Sequence, residues 1–277
     1  MTASFNRALT RRALVDRAMT ALFTLCALAS AGVLVIILGY VVWRGLPALN
    51  FAFFTERPLP YGEVGGGVAP AILGTLLMLS FAALLGVPIG MATAIYLSEY
   101  GRGRLAQVIR FVIDLLAGLP SIVVGVFVWA LLVRRIIGNY SAIAGAVSLA
   151  IIIIPIVTRT AEEMLRLVPD TLREASFALG TRRWRTILYV VLPTARAGLV
   201  TGTVLALARA GGETAPLLLT ALGNQFFSFD MTQPMAALPI QIYNYAVAPY
   251  DDWHTKAWGS ALILIAVIAV FSLLTRF

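Results

Sequence analysis

The sequence is poor in charged residues, which make up only 12% of its 277 positions against 60% hydrophobic residues, with a mean hydropathy of +0.90. Soluble domains have about a quarter of their residues charged, so this composition indicates a polytopic membrane protein. Cysteine, histidine and lysine occur once each, as Cys26, His254 and Lys256. One residue of each type excludes an intrachain disulfide and a histidine-based metal site, so we expect neither a metal nor a cofactor.

Motifs typical of enzyme active sites and of ATP-binding loops are absent as well. The sequence contains no HExxH, no GxSxG and no pair of intramembrane aspartates, which disfavours an intramembrane enzyme. A GxxxxGK[ST] phosphate loop is also absent, so the chain is not expected to hydrolyse ATP itself. An ion channel stays open at this point and would be revealed by conductance without ATP.

Long apolar runs dominate what is present, and most are long enough to cross about 30 Å of hydrocarbon. Six spans are predicted, at 19–43, 70–97, 111–133, 142–157, 197–222 and 257–275. An N-terminal tail, 1–18, precedes the first span, and an irregular connection, 44–69, separates it from a five-span core, 70–277. The fourth span is short if Pro155 ends it.

The charge pattern predicts an orientation. With six spans and the N-terminus inside, the inner side receives most of the 21 basic residues, including those of the tail and Arg276. Both termini are therefore expected in the cytoplasm. The formal net charge of +8 is then explained by topology, and no nucleic-acid partner is expected.

Residues 158–196 are the most polar part of the chain and are predicted to form a water-exposed loop between the fourth and fifth spans. Pro169 suits the first turn of a helix, with Asp170 near its positive end. Gly180 suits the stop of that helix. Thr181 is expected to cap a second helix that ends before Pro193.

The first of these helices has small and apolar residues at helical spacing. They are Leu172, Ala175, Ser176 and Leu179. Such a face could lie in a groove of a partner protein. The alternative is an amphipathic helix that lies on the lipid surface.

The fifth span contains two charged residues, Arg209 and Glu213, at the i and i+4 positions of one predicted helical face. Leaving either alone in lipid costs several kcal/mol, so they should face each other or a wet path. An arginine binds oxyanions bidentately, and a carboxylate can accept a hydrogen bond from the P–OH of phosphate. We predict that both line a translocation path, and the alternative is a structural ion pair. Asp114, near the start of the third span, is expected to be interfacial.

The polar loop resembles the EAA loop of ABC-importer permeases. The resemblance rests on Glu174-Ala175-Ser176, on Gly180 six positions after the glutamate, and on Leu192-Pro193 at the end of the motif. It differs in Ser176, where the family has alanine, and in Val190, where it has isoleucine. The resemblance implies an all-α permease with a type I, MetI-like core, whose Glu174–Gly180 segment docks as a coupling helix into a separate ATPase subunit.

Three further runs resemble the A-type permeases of Pst-type phosphate importers. They are Gly67–Thr75, Leu119–Gly125 and Ala208–Pro216. The last run is the most specific, and it contains Arg209 and Glu213. The related C-type permease shares much of this pattern, and a permease for sulfate, molybdate or another solute is the remaining alternative.

This resemblance implies a set of partners and a location. The expected partners are a second phosphate permease subunit, two ATP-binding subunits, and a periplasmic or extracellular phosphate-binding protein. The expected location is the bacterial cytoplasmic membrane.

Overall fold

The computed structural model describes residues 2–63 and 65–274, with side chains described from residue 12 onward except at positions 271, 272 and 274. Every named element in these ranges is helical. The helices are α1 (Thr2–Gly45), α2 (Phe51–Thr55), α3 (Ala69–Ile95), α4 (Arg104–Gly118), α5 (Ser121–Val128), α6 (Ala142–Arg166), α7 (Asp170–Ala178), α8 (Arg183–Thr186), α9 (Leu192–Gly211), α10 (Ala215–Thr220), α11 (Leu238–Val247) and α12 (Asp251–Leu274).

Three of these helices continue as π-helical turns. Tyr96–Tyr100 extends α3, Trp129–Ile137 extends α5, and Ile187–Val191 joins α8 to α9. The last junction makes Arg183–Gly211 one continuous helix of 29 residues. Short π-helical insertions of this kind occur often at functional sites.

Five helices within the described residues are long and apolar enough to cross a membrane, or six if one bent pair counts as a span. The bent pair is Arg104–Gly118 with Ser121–Ile137, which meet at 103°. The predicted third span, 111–133, is therefore not one straight helix. The physical reason is Pro120, which disfavours helical backbone at Leu119, where the chain is extended with ψ 135°.

Pro155 does not end the helix of the predicted fourth span, 142–157. Helix α6 continues through Pro155 to Arg166, so Thr158 is a fully buried helical residue instead of the start of a loop. Proline removes one helical hydrogen bond, but neighbouring helices and side chains can compensate for that loss inside a membrane bundle.

The centre of the bundle is the packing of α3 against α6. A Cβ atom added at Gly90 would lie 2.9 Å from Val157 Cβ and 3.1 Å from the Ile154 carbonyl oxygen, so only glycine permits this approach. The Thr158 hydroxyl donates to the Gly90 carbonyl at 3.2 Å across the same contact. Small residues that bring two backbones together are the usual means of helix association in membranes.

Helix α1 lies largely apart from this core. Its contact with the bundle is near Gly45, where an added Cβ would lie 2.7 Å from the Trp258 carbonyl oxygen of α12, and Tyr40 meets the Trp258 ring edge-on. From Thr2 onward, the residues predicted as a tail belong to the same helix as the predicted first span. Arg276, which entered the orientation argument, lies outside the described residues.

Candidate functional site

Helix α7 begins and ends at the residues that the sequence indicates. Pro169 precedes it with extended backbone (φ −61°, ψ 138°), and Asp170 is its first residue. Gly180 has φ +76°, a left-handed conformation that glycine adopts without a Cβ penalty, and it follows the last turn. The prediction of a short helix stopped by Gly180 is confirmed.

One face of α7 is exposed. Glu174 and Ala175 lie on it, and Leu172 and Leu179 are 40% and 84% exposed. Ser176 does not share this face, because it is only 7% exposed and its hydroxyl contacts Thr181 and Thr186. The predicted contact face therefore exists, but without Ser176.

Ser176 belongs to a cluster of three hydroxyl groups that closes the turn after α7. Its Oγ lies 2.6 Å from Thr181 Oγ1 and 2.9 Å from Thr186 Oγ1, and the Thr181 hydroxyl donates to the Ser176 carbonyl at 2.6 Å. The prediction that Thr181 caps the next helix is therefore wrong. Arg182 occupies that cap position and makes no side-chain capping bond.

The second predicted helix does not end before Pro193. Leu192 and Pro193 open α9 directly after the π-helical turn Ile187–Val191. The first turn of an α-helix tolerates proline because its missing N–H has no partner there, and the π-helical turn shifts the bonding pattern just ahead of it. Most of the predicted loop 158–196 is therefore helical. Helix α6 extends into it, α7 lies within it, and the continuous helix Arg183–Gly211 begins in it.

The opposite face of α7 is anchored by Arg173, whose side chain is 14% exposed. Its Nη2 donates to Glu99 Oε1 at 2.7 Å and to the Leu165 carbonyl at 2.9 Å, and its Nη1 donates to the Val168 carbonyl at 2.6 Å. Sequence analysis missed this residue. The signal was its position three residues before Ser176, which places both on one helical face.

Two ion pairs connect α4 to α6, and a third lies within α6. Glu162 of α6 accepts from Arg110 of α4 at 2.9 Å and from Arg166 at 2.6 Å. Asp114 of α4 pairs with Arg159 of α6 at 2.7 Å, with both side chains about half exposed. Asp114 therefore ties two helices together.

Arg209 and Glu213 are arranged differently from the prediction. Arg209 lies in the last turn of α9 and is exposed, whereas Glu213 is half-buried in the break before α10. They do not share a helical face, because the helix ends at Gly211 and Gly212 starts an irregular segment. Neither side chain forms an ion pair within residues 2–63 and 65–274.

The family model described as binding-protein-dependent transport system inner membrane component matches residues 86–277, more than half of the chain. The chain belongs to this family. It is thus a multi-pass inner membrane subunit of a transport system and not an enzyme. Such a subunit works with a substrate-binding protein, another permease and partner subunits that hydrolyse ATP.

Curated relatives extend the match over nearly the whole chain. The phosphate transport system permease protein PstA of Yersinia pestis is 45% identical over 244 residues, which cover 88% of this chain and 82% of that protein. The protein of the same name from Xylella fastidiosa (strain Temecula1) is 41% identical over 268 residues, covering 96% and 93%.

Solved structures support the same fold. A chain of the MetNI methionine ABC transporter, in an inward-facing crystal form, superposes with a TM-score of 0.59 at 22% identity, covering 76% of this chain and 91% of that one. A bacterial ABC transporter for the import of alginate gives a TM-score of 0.55 at 14% identity, covering 90% and 93%. At these identities the likeness concerns the fold, and it confirms the predicted all-α, MetI-like permease class.

Proposed function

We propose that this chain is a membrane-spanning permease subunit of an ATP-driven importer of inorganic phosphate. The near-full-length relatives named as phosphate transport permeases support this cargo. The observation that carries the proposal is that Arg209 and Glu213 lie at a break in a membrane helix and have no ion-pair partner among the described residues. Irregular backbone at membrane depth is tolerated where it is buried in protein or lines a cavity, and broken helices form the substrate sites of many transporters.

The depth of Arg209 in the membrane suits a residue that lines the translocation path. It follows Arg196, the exposed last residue of the predicted polar loop 158–196, by 13 positions on the same continuous helix, or about 20 Å. That distance places it well inside a hydrocarbon core about 30 Å thick. An arginine at this depth stays charged and needs an anionic partner, which a passing phosphate supplies.

Glu213 favours hydrogen phosphate over fully ionised oxyanions at this site. A carboxylate repels a fully ionised oxyanion such as sulfate, but it accepts a hydrogen bond from the P–OH group of hydrogen phosphate. Glu213 therefore acts as an acceptor that favours protonated oxyanions, and Arg209 supplies the positive charge.

Helix α7 serves as the coupling helix in this proposal. Its exposed face presents Glu174, Ala175 and Leu179 to a groove on the ATPase subunit, while Gly180, Leu192 and Pro193 set the turn and the helix that follow. This end of the bundle faces the cytoplasm, as do both termini. The partners are a second phosphate permease, two ATP-binding subunits and an external phosphate-binding protein.

One experiment tests the cargo and the partners together. The tagged chain is purified from membranes, its companions are identified by mass spectrometry, and phosphate, sulfate and molybdate uptake are compared in cells with and without the chain. We expect an ATPase and a second permease to co-purify, and phosphate uptake alone to fail on deletion. Loss of sulfate or molybdate uptake with normal phosphate uptake would overturn the proposed cargo.

A further inference from the structure

A buried charge lies where the second candidate span meets the coupling helix. Glu99 is in the π-helical turn Tyr96–Tyr100 that extends α3, and it is 8% exposed. Its carboxylate accepts two hydrogen bonds from the guanidinium of Arg173. Nη2 donates to Oε1 at 2.7 Å, and Nε donates to Oε2 at 3.4 Å. A buried carboxylate is stable only when it is paired in this way, so the two side chains must stay together as α7 moves.

The guanidinium of Arg173 joins three elements. It belongs to α7, it binds Glu99 at the end of α3, and it donates to the carbonyl groups of Leu165 and Val168 at the end of α6. Cations at a helix C-terminus are also favoured by the helix dipole. The same π-helical turn has a second contact with the coupling loop, because the Arg183 guanidinium lies 4.7 Å from the centre of the Tyr100 ring. The turn is therefore attached both to α7, through Arg173, and to the start of α8, through Arg183.

Helix α3 extends from this attachment to the opposite end of the bundle. Leu79, 20 positions before Glu99, lies beside Gly211 at the helix break, within 3.5 Å of where a Cβ atom of Gly211 would be. Still nearer its start, the Thr75 hydroxyl accepts the backbone N–H of Leu238 at 2.7 Å. The continuous helix Ala69–Tyr100, about 30 Å long between Leu79 and Glu99, thus links α7 to the break that holds Arg209 and Glu213.

We propose that Glu99 and Arg173 form the joint through which movement of α7 reaches α3 and the helix break. This inference rests on the proposed function, because it assumes that α7 receives the movement of an ATPase. Both residues are positioning residues and do not touch phosphate. Breaking the joint lets the ATPase run without moving phosphate.

The test uses the whole complex in proteoliposomes, with ATP hydrolysis and uptake of inorganic phosphate measured on the same vesicles. In the main variant, Glu99→Leu with Arg173→Met, both charges are replaced, because apolar replacement of a buried ion pair is often neutral for folding. We expect normal assembly, hydrolysis within about twofold of native, and about tenfold less phosphate moved per ATP, the upper part of the range for coupling residues. Asp170→Asn is the matched control, because the exposed Asp170 binds the same guanidinium at 3.2 Å. Its ratio of phosphate moved to ATP hydrolysed should equal the native ratio.

A native ratio of phosphate to ATP in the double variant would overturn the joint, and so would equal losses of hydrolysis and uptake, which indicate a merely structural pair. If the double variant does not assemble, Arg173→Lys is the deciding variant. Lysine keeps the positive charge but cannot form the bidentate hydrogen bonds of a guanidinium. A lowered ratio in that variant supports the joint and a native ratio overturns it. The native complex tests the proposed function separately, since absence of ATP-dependent phosphate uptake there would overturn the function itself.

Discussion

Charged side chains at α7 and at the break between α9 and α10 are arranged in opposite ways. Around α7 each buried charge has a partner, as in Arg173 with Glu99 and Arg110 with Glu162. At the break, Arg209 and Glu213 form no ion pair with any residue that the structure describes. Paired charges fix helices relative to one another, whereas an unpaired arginine at membrane depth needs a ligand or a partner subunit. The first region therefore suits transmission of force and the second suits contact with cargo.

The largest effect should come from removing the unpaired charge. Arg209→Gln is expected to lower phosphate uptake by roughly 30- to 150-fold, because it removes charge-assisted hydrogen bonds of about 2 to 3 kcal/mol. The measurement is uptake of radiolabelled phosphate at matched membrane levels of the chain. Arg196→Gln, 13 positions earlier on the same continuous helix, is the control and should transport normally. Full uptake in both Arg209→Gln and Glu213→Gln would show that the break carries no cargo.

The helix contact that connects the two regions should be sensitive to size. Gly90→Val places a side chain where even a Cβ atom would lie 2.9 Å from Val157, so we expect destabilisation of about 1 to 3 kcal/mol. Thermal unfolding of the purified complex in detergent measures it. Gly32→Ala in α1 is the control, because nothing lies within 4 Å of its added Cβ. Equal melting temperatures for Gly90→Val and the native chain would contradict the packing.

The exposed face of α7 should tolerate an apolar substitution better than a charged one. Leu179→Asp is expected to lower the amount of co-purified ATPase about tenfold, because a carboxylate buried in a partner groove loses its hydration. Leu179→Met keeps volume and apolar character and should retain the ATPase. Full retention by the aspartate variant would place the contact elsewhere.

The smallest effect is expected at the hydroxyl cluster. Ser176→Ala removes hydrogen bonds to Thr181 and Thr186 that together contribute about 1 kcal/mol, and it restores the residue that the family motif has. Uptake should stay within about twofold, with a slightly lower melting temperature. A large loss of uptake would mean that the cluster has a role beyond closing the turn.

Local signals in the sequence predicted α7 well, because proline at its start and glycine after its end act on the backbone within a few residues. The anchor of α7 could not be predicted in the same way. Glu99 and Arg173 are 74 positions apart, and only the packing of α3 against α6 brings them together.

Proline has different effects at different positions of this chain. At Pro120 the chain bends, since the preceding residue is extended, but at Pro155 and Pro193 the helix continues because burial or a π-helical turn compensates. At the break, helical periodicity predicted Arg209 and Glu213 on one helical face. The observed end at Gly211 separates them.

The central claim is that α7 lies in the cytoplasm and receives the movement of an ATPase. A Glu174→Cys variant in a Cys26→Ala background tests it directly, with a membrane-impermeant maleimide applied to intact cells and to inverted membrane vesicles. We predict labelling in the inverted vesicles and none in intact cells. Labelling of Cys at this position from outside intact cells would contradict the account.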